Sequence, residues 1–244
     1  MKYSDNQVEL FQQELELSKR SKEILQERMI SDDLIKKFEL GFCPPGSNFA
    51  FDLLNGRIIV PIHNAYGELI AFSGRRVDAY STDVNSYYKH KMDSFSAIQR
   101  FMKWKTSKWV NTSYSKKAHL FNLHRAKRHI YELGYCIVVE GYFDVIALHR
   151  MGVYNVVAIC SVSMSNHHCD LISRYCKKIV LMLDGDEAGI DAIQSSMQRA
   201  RSKNLFVNVV KLKDSLDPDQ LTHDQLAFIC NKTKTSDEEL LIKI

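Results

Sequence analysis

Between Cys136 and Lys211 the chain alternates four short apolar runs with three helix-length segments, and that alternation leaves few folds open. The runs fall at 136–139, 154–160, 178–183 and 205–211; the segments between them are 143–151, 165–175 and 187–203. Strands separated by helices of this length pair in parallel, which predicts an α/β domain on a four-stranded parallel sheet flanked by helices. Two of the runs stop abruptly at acid, Glu140 after the first and Asp184 and Asp186 after the third, with Gly141, Gly185 and Gly189 beside them. In an open parallel sheet the carboxyl ends of the strands form the rim where ligands bind, so acids released there converge. Three neighbouring carboxylates repel one another, and a divalent cation removes the repulsion. Mg²⁺ takes one or two protein carboxylates and fills its shell with water and substrate phosphate. The pattern therefore predicts a phosphoryl-transfer metal site.

Composition narrows the setting. No apolar run approaches the ~20 residues of a membrane span, and the opening MKYSDNQVELFQQE lacks the apolar core of a secretory signal. A cytoplasmic protein without membrane contact is the expectation. The six cysteines have no Cys-x-x-Cys spacing and read as reduced, mostly buried thiols. Net charge is +4, but Arg75–His129 holds thirteen basic against three acidic residues, leaving a net negative remainder. That basic block carries Tyr87, Tyr88, Trp104 and Trp109, a composition that suits a polyanion backbone with bases stacked on rings.

Taken in order, Asn6–Met29 has the apolar spacing of an amphipathic helix, and Ser31 before Asp32 and Asp33 caps a second short one. Leu40-Gly-Phe-Cys-Pro-Pro45 reads as the end of that helix. Arg57–His63 and Glu68–Val77 are β-rich runs around Asn64-Ala-Tyr-Gly67, a hairpin signal. The second run ends in Ser73-Gly-Arg-Arg76, where an arginine can cap a strand end. His167 and His168 stand without a second cluster at ligand spacing and read as a polar helix start. Asp217-Pro218-Asp219 sets two acids at a turn, where Asp219 either faces the rim or caps a helix over Gln220–Cys230.

Glu140-Gly-Tyr-Phe-Asp144, followed by Asp184-Gly-Asp-Glu-Ala-Gly189, resembles the Toprim module of bacterial-type, DnaG-like primases. Gly56-Arg-Ile-Ile-Val-Pro-Ile62, Phe72-Ser-Gly-Arg75, Lys108-Trp-Val-Asn111, Leu120-Phe-Asn-Leu123 and Asp217-Pro-Asp219 resemble primase segments in primase order, so the likeness runs from about Ile24 to Leu221. The resemblance implies a Toprim sheet at 134–212, a smaller α+β amino-terminal lobe at 1–133 carrying the basic segment 75–129, and a short acidic turn and helix at 213–244. It implies Mg²⁺ or Mn²⁺ held by Glu140, Asp144, Asp184, Asp186, Asp217 and Asp219, with Glu140, Asp184 and Asp186 catalytic. Arg75, Arg76, Lys108, Asn111, Lys116 and Lys117 would contact template or nucleotide phosphate. The implied activity is synthesis of short RNA primers from ribonucleoside triphosphates on single-stranded DNA; a catalytically silent DNA-binding scaffold and a Toprim nuclease are the alternatives. A zinc ribbon and a helicase-docking module are absent from the sequence, so partners supplying them, a pared-down phage-type primase or an excised core are the expectations. Two segments depart from the family pattern: the long 78–106 stretch, and Ser161-Val162 where primases tend to carry Gly-Thr.

Overall fold

The computed structural model describes residues 3–45, 52–77, 107–183, 187–212, 218–236 and 239–244. The departing stretch 78–106 and the predicted ligands Asp184, Asp186 and Asp217 lie outside the described residues. The chain forms two units, residues 1–62 with 69–114, and residues 63–68 with 115–244.

In the first unit, helices α1 (Asp5–Leu17), α2 (Lys19–Glu27) and α3 (Asp32–Lys37) precede strands β1 (Gly41–Cys43), β2 (Arg57–His63), β3 (Leu69–Arg76) and β4 (Trp109–Asn111), which form one sheet in the order β1-β2-β3-β4. The single helix expected over 6–29 is broken at Ser18, whose extended backbone and hydroxyl, accepting from Ser21 N–H, cap α2. A serine at that position competes with the helix for its own backbone. Ser31 caps α3 as expected. The 40–45 segment does more than end a helix, because Gly41–Cys43 pairs antiparallel with β2. A Cβ at Gly41 would sit 2.4 Å from Phe11 Cβ, so only glycine admits α1 this close to β1. Phe11 and Phe72 then meet edge to face, centroids 5.2 Å apart, in a core with Val8, Leu54, Ile59 and Val110.

The second unit adds α4 (Leu123–Leu133), β5 (Tyr135–Val139), α5 (Tyr142–Arg150), β6 (Val156–Ala158), α6 (Asn166–Ile172), β7 (Lys178–Leu181), α7 (Glu187–Ser202), β8 (Phe206–Lys211), α8 (His223–Thr235) and β9 (Leu241–Lys243). Its sheet is parallel throughout, in the order β6-β5-β7-β8-β9. With β5 and β6 buried on both faces, their sequences are continuous apolar runs rather than alternating ones.

Three expectations need correction. The boundary falls at 114/115 rather than 133/134, because Leu123, Ala126 and Ile130 of α4 join the same core as Cys136 and Val157. The sheet has five strands rather than four, and 213–244 is no separate piece. Asn208 Oδ1 accepts from Leu240 N–H (2.9 Å) and Glu239 Oε1 from Val207 N–H (3.0 Å), which seats β9 on β8. The last long helix starts later than expected: Thr222 caps α8 with its hydroxyl, and Asp219 lies in a preceding 3₁₀ turn, Pro218–Gln220. All six cysteines are free thiols, four of them buried. Among the described residues no helix is long and apolar enough to cross a membrane.

Candidate active site

Strand β5 ends at Val139, and the next residues are Glu140 and Gly141, the latter capping α5. Asp144, in the first turn of that helix, folds back so that its Oδ2 accepts the Gly141 N–H at 2.8 Å. The helix N-terminus favours a carboxylate there. A Cβ on Gly141 would stand 3.1 Å from that oxygen, so the glycine leaves room for the acid to turn back. Glu140 and Asp144 are thereby brought to one corner of the sheet by five consecutive residues.

Strand β7 ends at the same edge. β7 pairs Leu181 with Val138, and Met182 N–H continues the ladder to Val138 O at 2.9 Å, so β7 and β5 reach their carboxyl ends side by side. On the other flank, Cys160 N–H donates to Glu140 O at 2.8 Å. Cys160 adopts φ +50°, a left-handed conformation that glycine tolerates best. Burial pushes its thiol up to about 12, against a hydrogen bond with Tyr142 and the charge of Lys116, and with the charge of Asp144. The divergent loop after β6 is tied down from α7: Arg199 Nη1 donates to Ser163 Oγ (3.1 Å) and Met164 O (3.0 Å), and Ser196 Oγ accepts from Met164 N–H (3.0 Å).

The main chain at Asp219 meets the other end of α5. The Asp219 main-chain oxygen accepts from Arg150 Nη2 at 3.2 Å, on the last turn of α5, whereas Asp144 is on the first. His167 is exposed, His168 is buried by hydrogen bonds at the start of α6, and among the described residues no group of three His, Cys, Asp or Glu could hold a metal ion. The donors present at the corner, Glu140 and Asp144, are hard carboxylate oxygens. That chemistry fits Mg²⁺ or Mn²⁺, which takes a small number of carboxylates.

The predicted basic residues divide between the units. In the first, Arg75 lies over the ring of its cross-strand neighbour Trp109, 5.6 Å from the centroid, which keeps the guanidinium half-exposed at the end of β3. Arg76 N–H bonds Lys108 O (3.0 Å), Lys108 is exposed, and Asn111 pairs with Ser73. Lys116 and Lys117 belong to the second unit, on a 3₁₀ turn, Lys116–Ala118. Sequence reasoning gave no role to Arg57. It is 3% exposed, and its Nη1 donates to the carbonyls of Gly74 (3.3 Å), Ser107 (3.0 Å) and Lys108 (3.5 Å). Burial, then the charge of Arg76, lowers its pKa to about 10. A Cβ at Gly74 would come within 2.9 Å of Arg57 Cδ, so the glycine of Ser-Gly-Arg makes way for this buried arginine. The available signal was a charged residue opening an otherwise apolar strand.

Comparison with known proteins matches residues 137–222 to the Toprim-like family. The DNA primase of Lactococcus lactis is 31% identical over 235 residues, 84% of this chain and 33% of that protein. Among solved structures, the zinc-binding and RNA polymerase domains of the Aquifex aeolicus primase align with a TM-score of 0.75 at 25% identity, covering 94% of this chain and 59% of that one. Over most of its length the chain is similar to the DnaG-like primase cores. A DnaG catalytic domain bound to single-stranded DNA shares the fold, with a TM-score of 0.73 at 23% identity over 93% of this chain and 76% of that one. The chain spans about a third of the length of the Lactococcus primase. Within the primase frame the motifs acquire structural reasons: in Leu-Phe-Asn-Leu, Asn122 has φ +70° and its buried amide donates to Val156 O (2.9 Å), while Phe121 bridges to Ala158 and meets Tyr142 edge to face.

Proposed function

We propose that this chain catalyses template-directed synthesis of short RNA on single-stranded DNA by divalent-metal-dependent nucleotidyl transfer. The observation that carries the reading is the Glu140–Asp144 corner, fixed by Gly141 at the carboxyl edge of a Toprim-like sheet, with β7 ending beside it. Asp184 and Asp186 are the principal ligands in this reading, with Glu140 a further ligand or the acceptor of the 3′-hydroxyl proton, and Asp144 orienting the first carboxylate. Asp217 and Asp219 complete the acidic set. Bound Mg²⁺ or Mn²⁺ would neutralise phosphate charge and ease deprotonation of the attacking hydroxyl. The chain's own residues would contact phosphate, in the second unit Lys116 and Lys117 as mobile point charges, and in the first Arg75 and Arg76 as forks with Lys108 and Asn111.

The template class is supported by the solved relative bound to single-stranded DNA. Ribonucleoside triphosphates as substrates, a replicative helicase and a separate zinc-ribbon module as partners, and work in the cytoplasm follow from the same reading. The test is ribonucleotide incorporation on single-stranded DNA with Mg²⁺ or Mn²⁺, in the wild type and in Asp184→Ala plus Asp186→Ala. Incorporation that vanishes in the double variant is expected. Incorporation that persists refutes the site, cleavage of the DNA identifies a nuclease, and binding without either reaction identifies a silent scaffold.

A further inference from the structure

His168 is completely buried on the first turn of α6. Both ring nitrogens are engaged. Nδ1 accepts the Ser165 N–H at 3.2 Å, which leaves the proton on Nε2. Nε2–H then donates to Lys116 O at 2.7 Å, with His119 O at 3.1 Å sharing it. Ser165 completes the hold: its hydroxyl accepts from His168 N–H (3.0 Å) and donates to Lys117 O (2.6 Å). Three carbonyls of the segment 116–119 are thus gripped by two side chains some fifty residues away. The grip is itself anchored, because Ser165 follows the Ser163–Met164 loop that Arg199 and Ser196 of α7 hold in place.

The turn gripped in this way carries Lys116 and Lys117 and sits against the start of α6, the helix that follows β6 at the carboxyl edge of the sheet. An unanchored lysine explores many rotamers and a mobile backbone would add to them, whereas pinned carbonyls leave only the side chain free. We propose that His168 is a positioning residue that fixes the Lys116–Lys117 turn for phosphate binding at the carboxyl edge of the sheet. It touches no substrate and acts through the two lysines. The inference rests on the nucleic-acid and nucleotide role of those lysines put forward above. A phosphate at that turn comes either from the template strand or from the incoming nucleotide, and the two sources are separable.

The test compares His168→Phe and His168→Gln with Lys116→Ala plus Lys117→Ala and with the combined variants, by fluorescence anisotropy on an oligo(dT) strand and on a fluorescent ATP analogue with Mg²⁺. Misplacement of a binding group costs steeply, so His168→Phe is expected to weaken binding roughly tenfold in whichever arm the lysine variant weakens. The combined variant should bind no worse than the lysine variant alone, since coupled residues are non-additive. Gln keeps a donor within reach of the carbonyls and should recover part of the loss. Hydrogen exchange over residues 115–119 should rise in His168→Phe with melting temperature near that of the wild type. If Phe at 168 prevents folding, His168→Gln carries the same comparison at smaller amplitude.

Effects of His168 and the lysines that multiply independently overturn the proposal. So do unchanged exchange at 115–119, or a wild type that binds neither probe. A wild type that shows the coupled binding but incorporates no nucleotide sinks the polymerase reading and leaves the role of His168 standing. Incorporation with uncoupled binding does the reverse.

Discussion

The acidic corner and the basic turn of the second unit are held in opposite ways. Glu140 and Asp144 are set by contacts inside a five-residue stretch, strand end, glycine and first helical turn. Lys116 and Lys117 depend on Ser165 and His168 from another helix, and on Arg199 beyond them. The first unit repeats the second arrangement, with Arg57 reaching across to the carbonyls of 74, 107 and 108 behind Arg75 and Trp109. In the proposed role the acids need a fixed corner, which local geometry supplies; the proposed phosphate-binding cations need a fixed base and a free tip, which a buried polar anchor supplies from a distance.

The contrast breaks first at the acid side. Glu140→Ala should lower ribonucleotide incorporation roughly a hundredfold or more, as loss of a charge-stabilising group does, while single-stranded DNA affinity measured without metal stays within about twofold. An equal loss of affinity would mean that the corner shapes the DNA site and does not serve chemistry. On the anchored side, Arg57→Leu should cost about 2 kcal/mol of unfolding free energy by urea titration, because it leaves carbonyls that a charged donor had satisfied. Stability unchanged within error would show that those carbonyls find other partners.

How much of this was legible in the sequence follows the same division. The β5–α5 corner was readable because its cause is contiguous: an apolar run, an acid, a glycine, an acid at helical spacing. Ser31 before Asp32 and the Asn64–Gly67 turn were readable for that reason too. The break at Ser18 was hidden because one serine in a good helical pattern usually loses to the helix. β9 was hidden because three residues gain strand character only from Asn208 and Glu239. The Thr222 cap competed with Asp219 three residues earlier, and the 3₁₀ turn decided between them. Arg57 offers only a charge opening an apolar strand, and His168 only its place after the Ser165 cap, since the carbonyls they hold are 17 to 52 residues away.

Acid acts on a third, half-buried group. His124, its ring tilted against that of His63 with centroids 4.9 Å apart, has its pKa pushed down to about 3 by burial, with Arg125, His63 and Lys127 adding to the effect. Burial lowers His168 in the same direction. A depressed histidine pKa means that the unfolded chain binds more protons, so this stability is complete above the ordinary value near 6.5 and is lost progressively as pH falls toward 3. Urea midpoints should drop between pH 7.5 and 4.5, and His124→Gln should flatten that slope. An unaltered slope would place the acid sensitivity elsewhere. The smallest effect is expected at Gly141→Ala, where the new methyl needs Asp144 to shift by a few tenths of an ångström. Incorporation should fall a few-fold, within the roughly tenfold range of a disturbed ligand orientation; no change at all would show that Asp144 does not depend on its tether.

The central claim is that Glu140 helps hold a catalytic cation at the carboxyl edge of the parallel sheet. A crystal soaked with Mn²⁺ and a ribonucleoside triphosphate, measured at the manganese edge, tests it directly. The account predicts an anomalous peak within about 2.5 Å of a Glu140 carboxylate oxygen, bridged to nucleotide phosphate. A crystal in which Glu140 is paired with a basic side chain, and the manganese lies elsewhere or nowhere, would contradict it.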